Sequence, residues 1–123
     1  LANVLMAEGC SIEKSCITHS VIGLRSKIRA NVIIKDSILM GNDYYEWPSS
    51  REALNAPLEI GADCVIEGAI IDKNCRIGKG TGIKGFPRGT DIDGKGWVVI
   101  DGIVVIPKST TLPPGTRIGP EES

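Results

Sequence analysis

Aliphatic residues recur along this chain every five or six positions, a spacing that neither an α-helix nor a flat strand can use. Met6, Ile12, Ile17, Ile22, Ile28, Ile34 and Leu39 step by 6, 5, 5, 6, 6 and 5. Ile60, Ile66, Ile71, Ile77 and Ile83 keep the same ruler, and Ile100, Ile106, Leu112 and Ile118 step by six throughout. A helix face repeats at about 3.6 residues and a half-buried strand at two. A period of six suits a parallel β-helix, in which short strands and turns coil so that every sixth residue points inward and stacks on its equivalent in the next coil. The spacing therefore predicts an all-β chain. At three hexads per coil the sixteen ruler positions make about five coils, roughly 24 Å high at strand spacing. The steps of five read as corners one residue short.

Composition agrees with this reading. Isoleucine and valine number 18 and 8, against five aromatic residues. Branched aliphatics tile the inside of a narrow prism, burying surface at about 25 cal/mol per Å², where a large ring would not fit each layer. Small or acidic residues follow the inward aliphatic, as in Ile22-Gly23, Ile66-Glu67 and Ile77-Gly78, which marks corners. Two stretches break the ruler, residues 41–59 and 84–98, and both are expected to be loops ejected from the coils. The first holds Tyr44, Tyr45, Trp47 and a helix-capable piece over 49–55; the second holds Phe86 and Trp97. Tyr44, Tyr45 and Trp47 are expected to cover the side of the coil or to anchor another domain or subunit. Cys10, Cys16, Cys64 and Cys75 lack CxxC spacing and read as reduced, small core hydrophobes.

With 123 residues the chain is one domain, and a formal net charge of -1 speaks against a nucleic-acid-coating protein. It has no 18-residue apolar run and no signal peptide, so a soluble protein with no membrane association is expected. Beginning at Leu1 inside a repeating pattern, it reads as a fragment of a longer chain. Three function classes use sixfold coils: CoA-dependent acyltransferases, γ-type carbonic anhydrases and sugar nucleotidyltransferases. The carbonic anhydrase site needs three histidines for its zinc, and the single His19 leaves no such metal site. An acyltransferase needs one histidine as general base, which keeps His19 as an alternative, though a histidine on a turn is more often a surface hydrogen-bonder. A purely structural assembly domain is the third reading.

Specific strings go further than the ruler. SVIGLRS (20–26), DSILMGNDYYE (36–46), AIIDKNCRIG (69–78), GIVVIPK (102–108) and LPPGT (112–116) resemble the C-terminal domain of ADP-glucose pyrophosphorylase, glucose-1-phosphate adenylyltransferase, over nearly the whole chain from Met6 to Thr116. The likeness is nearest to the plant, algal and cyanobacterial type. It implies a left-handed parallel β-helix over 1–123, a C-terminal domain of a larger chain whose N-terminal nucleotidyltransferase domain, with its ATP and Mg2+, is absent here. It also implies transfer of adenylyl from ATP to glucose 1-phosphate for starch or glycogen synthesis, with no catalytic residue and no cofactor in this fragment.

The implied role of the coil is regulation and assembly. Its implied partners are the catalytic domain of the same chain, sister subunits of a tetramer, and the effectors 3-phosphoglycerate and phosphate. The compartment follows the source: plastid stroma for a plant or alga, cytoplasm for a bacterium. Lys73 in IIDKN and Lys108 before Ser109-Thr110 match the family's effector-binding lysines, with Arg25 and Arg76 as weaker candidates. Ammonium groups suit a phosphorylated acid because they offset its charge and donate to its oxygens. Asp101 stands where the family often has serine, and Pro107 precedes Lys108; both departures are expected to alter effector response.

Overall fold

The computed structural model describes residues 2–43, 57–94 and 96–120. The described residues form fifteen short strands: β1 (Ala2–Met6), β2 (Ser11–Ile12), β3 (Cys16–Ile22), β4 (Lys27–Ile28), β5 (Ile33–Lys35), β6 (Ile38–Leu39), β7 (Val65–Glu67), β8 (Ala69–Ile71), β9 (Arg76–Ile77), β10 (Gly82–Lys84), β11 (Ile92–Asp93), β12 (Val98–Ile100), β13 (Ile103–Ile106), β14 (Thr111–Leu112) and β15 (Arg117–Ile118). There is no helix among the described residues. The helix-capable stretch 49–55 and the aromatics Tyr44, Tyr45 and Trp47 lie outside them.

Parallel pairing between coils sorts the ruler residues into three columns. Met6, Ile22, Leu39, Ile71 and Ile106 stack on one face. Ile17, Ile34, Ile66, Ile83 and Ile118 stack on the second. Ile12, Ile28, Ile60, Ile77 and Leu112 stack on the third, through two short strand pairs and single bridges. Apart from Met6 and Ile12 in the first turn of the stack, all of these are buried. The columns meet as one core, in which each layer is closed by three aliphatic side chains.

The corners are built by residues in the left-handed region, where asparagine, aspartate and glycine are tolerated best. Asn31, Asp63, Gly80 and Gly115 form one such corner column, each with φ between 61° and 77°. Backbone bonds such as Asn31 N to Lys14 O and Gly115 N to Lys79 O run between coils at these points. A hydroxyl or thiol then closes the turn onto the carbonyl three residues back: Cys10 onto Ala7, Ser26 onto Gly23, Thr81 onto Gly78, Thr110 onto Pro107 and Thr116 onto Pro113. Three of the cysteines share this chemistry, since Cys64 Sγ lies 3.2 Å from Gly78 O and Cys75 Sγ 3.1 Å from Pro107 O in the adjacent coil. All four thiols are free, but Cys16 is exposed, which corrects the expectation of four core thiols. It occupies the outward position of β3, next to inward Ile17.

Two further expectations change. Ile100 is 59% exposed and is no part of a column; the buried neighbour is Val99. The stretch 84–98 is an excursion, but an ordered one: β11 and β12 pair antiparallel, and β12 pairs antiparallel with β13 before the chain rejoins β8 in parallel. Strand reversal shifts the inward parity, so the sixfold ruler fails at Ile100. Phe86 and Trp97 are partly buried against the core, so aromatics are absent from the columns but not from the core's margin.

The column predicts a sharp contrast between inner and outer isoleucines. Ile66→Ala should lose about 2–5 kcal/mol in urea denaturation, the range for an unfilled core cavity, whereas Ile38→Ala, 43% exposed, should lose under ~1 kcal/mol. Equal losses would contradict the stack. Burial raises the pKa of the Cys64 and Cys75 thiols, so iodoacetamide near neutral pH should modify Cys16 first. Cys64 and Cys75 should react only after unfolding; labelling of either in the native protein at the Cys16 rate would refute the assignment.

Candidate anion-binding site

One corner of the coil carries both lysines. The bonds Arg25 N to Glu8 O, Asn42 N to Leu24 O, Asn74 N to Gly41 O and Ser109 N to Lys73 O run up this corner. They align Glu8, Leu24, Gly41, Lys73 and Lys108 in one column and Gly9, Arg25, Asn42, Asn74 and Ser109 in the next. Gly9, Arg25, Asn74 and Ser109 all have positive φ. At the third rung Gly41 takes the left-handed conformation instead, with φ 88°. A Cβ there would collide with the backbone of Leu24, which reserves this position for glycine.

Lys73 and Lys108 thus occupy adjacent rungs, about 4.8 Å apart at strand spacing, and both reach Asp43. Lys73 Nζ lies 3.4 Å from Asp43 Oδ1 and Lys108 Nζ 3.8 Å from Oδ2. Asn74 holds the carboxylate from the other side: its Nδ2 donates to Asp43 Oδ2 at 3.0 Å, and its Oδ1 accepts from the Asp43 backbone N–H at 2.8 Å. The Asn74 amide above all holds the Asp43 carboxyl below the usual aspartate range; desolvation opposes it, and the two lysines add to the lowering. All three charged side chains remain about half exposed. The corner is a solvent-facing pair of cations with one carboxylate between them.

The other sequence candidates are placed differently. Arg25 is two rungs below Lys73 in the column sense, and its guanidinium donates to Asn42 O at 3.3 Å while Asn42 Nδ2 returns a bond to Arg25 O at 2.9 Å. This exchange ties the Asn42 turn to the rung below it. Arg76 is on β9, paired with Thr111, one short step along the chain from Asn74. Asp101 works within the second excursion, where its carboxylate accepts from Gly89 N at 2.6 Å. Pro107 offers its carbonyl to Cys75 and Thr110, so the residue before Lys108 is fixed by the turn. Asp72 accepts from Lys73 N at 2.6 Å.

His19 sits at a different corner, with φ 48° and Nδ1 2.8 Å from Asp36 Oδ1. The pair is open to solvent, 76% and 55% exposed. The neighbouring hydroxyls bond locally, Ser20 Oγ to Thr18 O and Ser37 Oγ to Lys35 O. Among the described residues no three His, Cys, Asp or Glu side chains are grouped to hold a metal ion.

Asp43 and Asn74 complete this corner, and reasoning from sequence did not single them out. Both stand inside the strings DSILMGNDYYE and AIIDKNCRIG, yet their meeting depends on how the chain re-registers after 44–56. The usable signal was the corner itself: once Leu39 is aligned with Ile71, Gly41 and Lys73 fall on the same rung. Against known families, the model of the GLGC left-handed parallel β-helix domain matches residues 1–117.

The geometry sets a titration. Asp43 should ionise below the ordinary aspartate value in a carbon-detected NMR titration, and Asn74→Ala should move it upward. Because the folded pKa is depressed, the stabilisation it brings is complete above the unfolded value near pH ~4 and is lost as pH falls through the folded one. An Asp43 pKa unchanged by Asn74→Ala would show that the amide does not hold the carboxylate.

Proposed function

The chain belongs to the family of the GLGC left-handed parallel β-helix domain, the C-terminal β-helix domain of ADP-glucose pyrophosphorylase, and from that premise we propose that it is the regulatory and assembly domain of such an enzyme. The family is that of glucose-1-phosphate adenylyltransferase, a nucleotidyltransferase. On this reading the fragment is catalytically silent. Adenylyl transfer from ATP, with Mg2+, to glucose 1-phosphate takes place on an N-terminal domain of the same chain.

The observation that carries the proposal is the convergence of Lys73 and Lys108 on a single carboxylate. Two ammonium groups on adjacent rungs, donating toward one point, are suited to the oxygens of a phosphate or a phosphorylated acid such as 3-phosphoglycerate. The coil supplies half of the effector site, and basic residues of the catalytic domain supply the rest. An anion bridging the two favours one arrangement of the domains, by as much as its affinity differs between them. Assembly with the catalytic domain and sister subunits uses the outer flank, where Leu5, Val21 and Ile38 align as an exposed aliphatic ladder.

In the full-length enzyme, Lys108→Ala should raise the half-activating concentration of 3-phosphoglycerate by about tenfold, the loss expected for one charge-assisted contact of roughly 1.4 kcal/mol. An activation curve superimposable on that of the parent enzyme would refute the assignment.

A further inference from the structure

Two like charges on neighbouring rungs repel, and the fold answers with an anion of its own. Each lysine faces a different oxygen of Asp43, so the carboxylate spans the gap between the ammonium groups much as a small oxyanion would. We propose that Asp43 is a tethered competitor for the anion seat: in the unliganded domain its carboxylate occupies the place that an anionic ligand takes between Lys73 and Lys108, and so sets the affinity of the site. The proposal rests on reading this corner as an anion-binding site.

The contacts divide in a way that suits displacement. Asp43 is clasped by Asn74 at 2.8 and 3.0 Å, through both its backbone N–H and its carboxylate. Its lysine contacts, at 3.4 and 3.8 Å, are longer than the ~2.7–2.9 Å of a tight charge-assisted bond. An incoming anion therefore gives up only the looser pair of contacts, while Asn74 keeps Asp43 at the rim. Tethering makes the competitor effective despite its single charge, because an attached group acts at a high local concentration. The ligands that succeed are those with more charge and more acceptor oxygens than a carboxylate, which selects phosphorylated small molecules and phosphate over simple monocarboxylates.

Isothermal titration of the full-length protein with inorganic phosphate tests this. Asp43→Asn, which preserves the shape and the hydrogen bonding to Asn74, should bind phosphate about fivefold more tightly, the factor that one unit charge a few ångströms away is worth in water. Asp43→Ser should tighten binding in the same direction and guards against a folding defect in the first variant. Equal or weaker binding by both variants overturns the proposal, since Asp43 would then position the lysines and not compete with the ligand. Phosphate binding that neither Lys73→Ala nor Lys108→Ala weakens overturns the anion site itself, a failure distinct from the first because it leaves the lysines without a ligand whatever stands at 43.

Discussion

The ladder of backbone hydrogen bonds between coils is the constraint on which the molecule depends. Branched aliphatics fill the prism and supply most of the burial, but they are nearly interchangeable; Leu39 and Leu112 stand in columns otherwise made of isoleucine, save Met6 in the first turn. What they cannot do is choose which coil meets which. That is done by carbonyls and N–H groups that must be paired once buried, and by the left-handed residues that bring each corner round at the right place. Hydroxyls and thiols at the corners finish the accounting, which is why cysteine, serine and threonine trade places there.

The lysine corner is a by-product of the same ladder. A coil repeats its outward positions at strand spacing, so two lysines on equivalent positions are brought close whether or not they attract. Bringing like charges together needs a compensating group, and the chain provides Asp43 from the third rung with Asn74 to hold it. Energetically this is a modest, solvent-screened cluster. Its interest is directional: three charged groups are aimed at one point by backbone that has little freedom to move.

Much of this was legible before any coordinates. The columns follow from the ruler, because a period near six has few other solutions, and the predicted inward residues are buried apart from Ile100 and, in the first turn, Met6 and Ile12. That failure has a local cause. A pair of antiparallel strands is built from the same residue types as a coil, and its reversal is marked by Asp101-Gly102, with φ 48° and 83°, a hairpin signal that a ruler of aliphatic spacing does not register. The lysines were legible from their strings, but the carboxylate between them was not. Asp43 sits next to an interruption whose length in the sequence says nothing about where the chain re-enters. Only the pairing of Leu39 with Ile71 places it.

That pairing has a consequence for how such a domain can vary over time. Met40 N bonds to Ile71 O directly across the first interruption, so the two flanks are stitched together without reference to what lies between them. Length changes in the interruption are then geometrically silent, while a single deletion within a strand turns the later residues of that strand to the opposite face. Substitution and insertion are thereby assigned to different regions of the chain. The rows can hold a ligand-binding constellation unchanged while the interruptions beside it are rewritten for new neighbours.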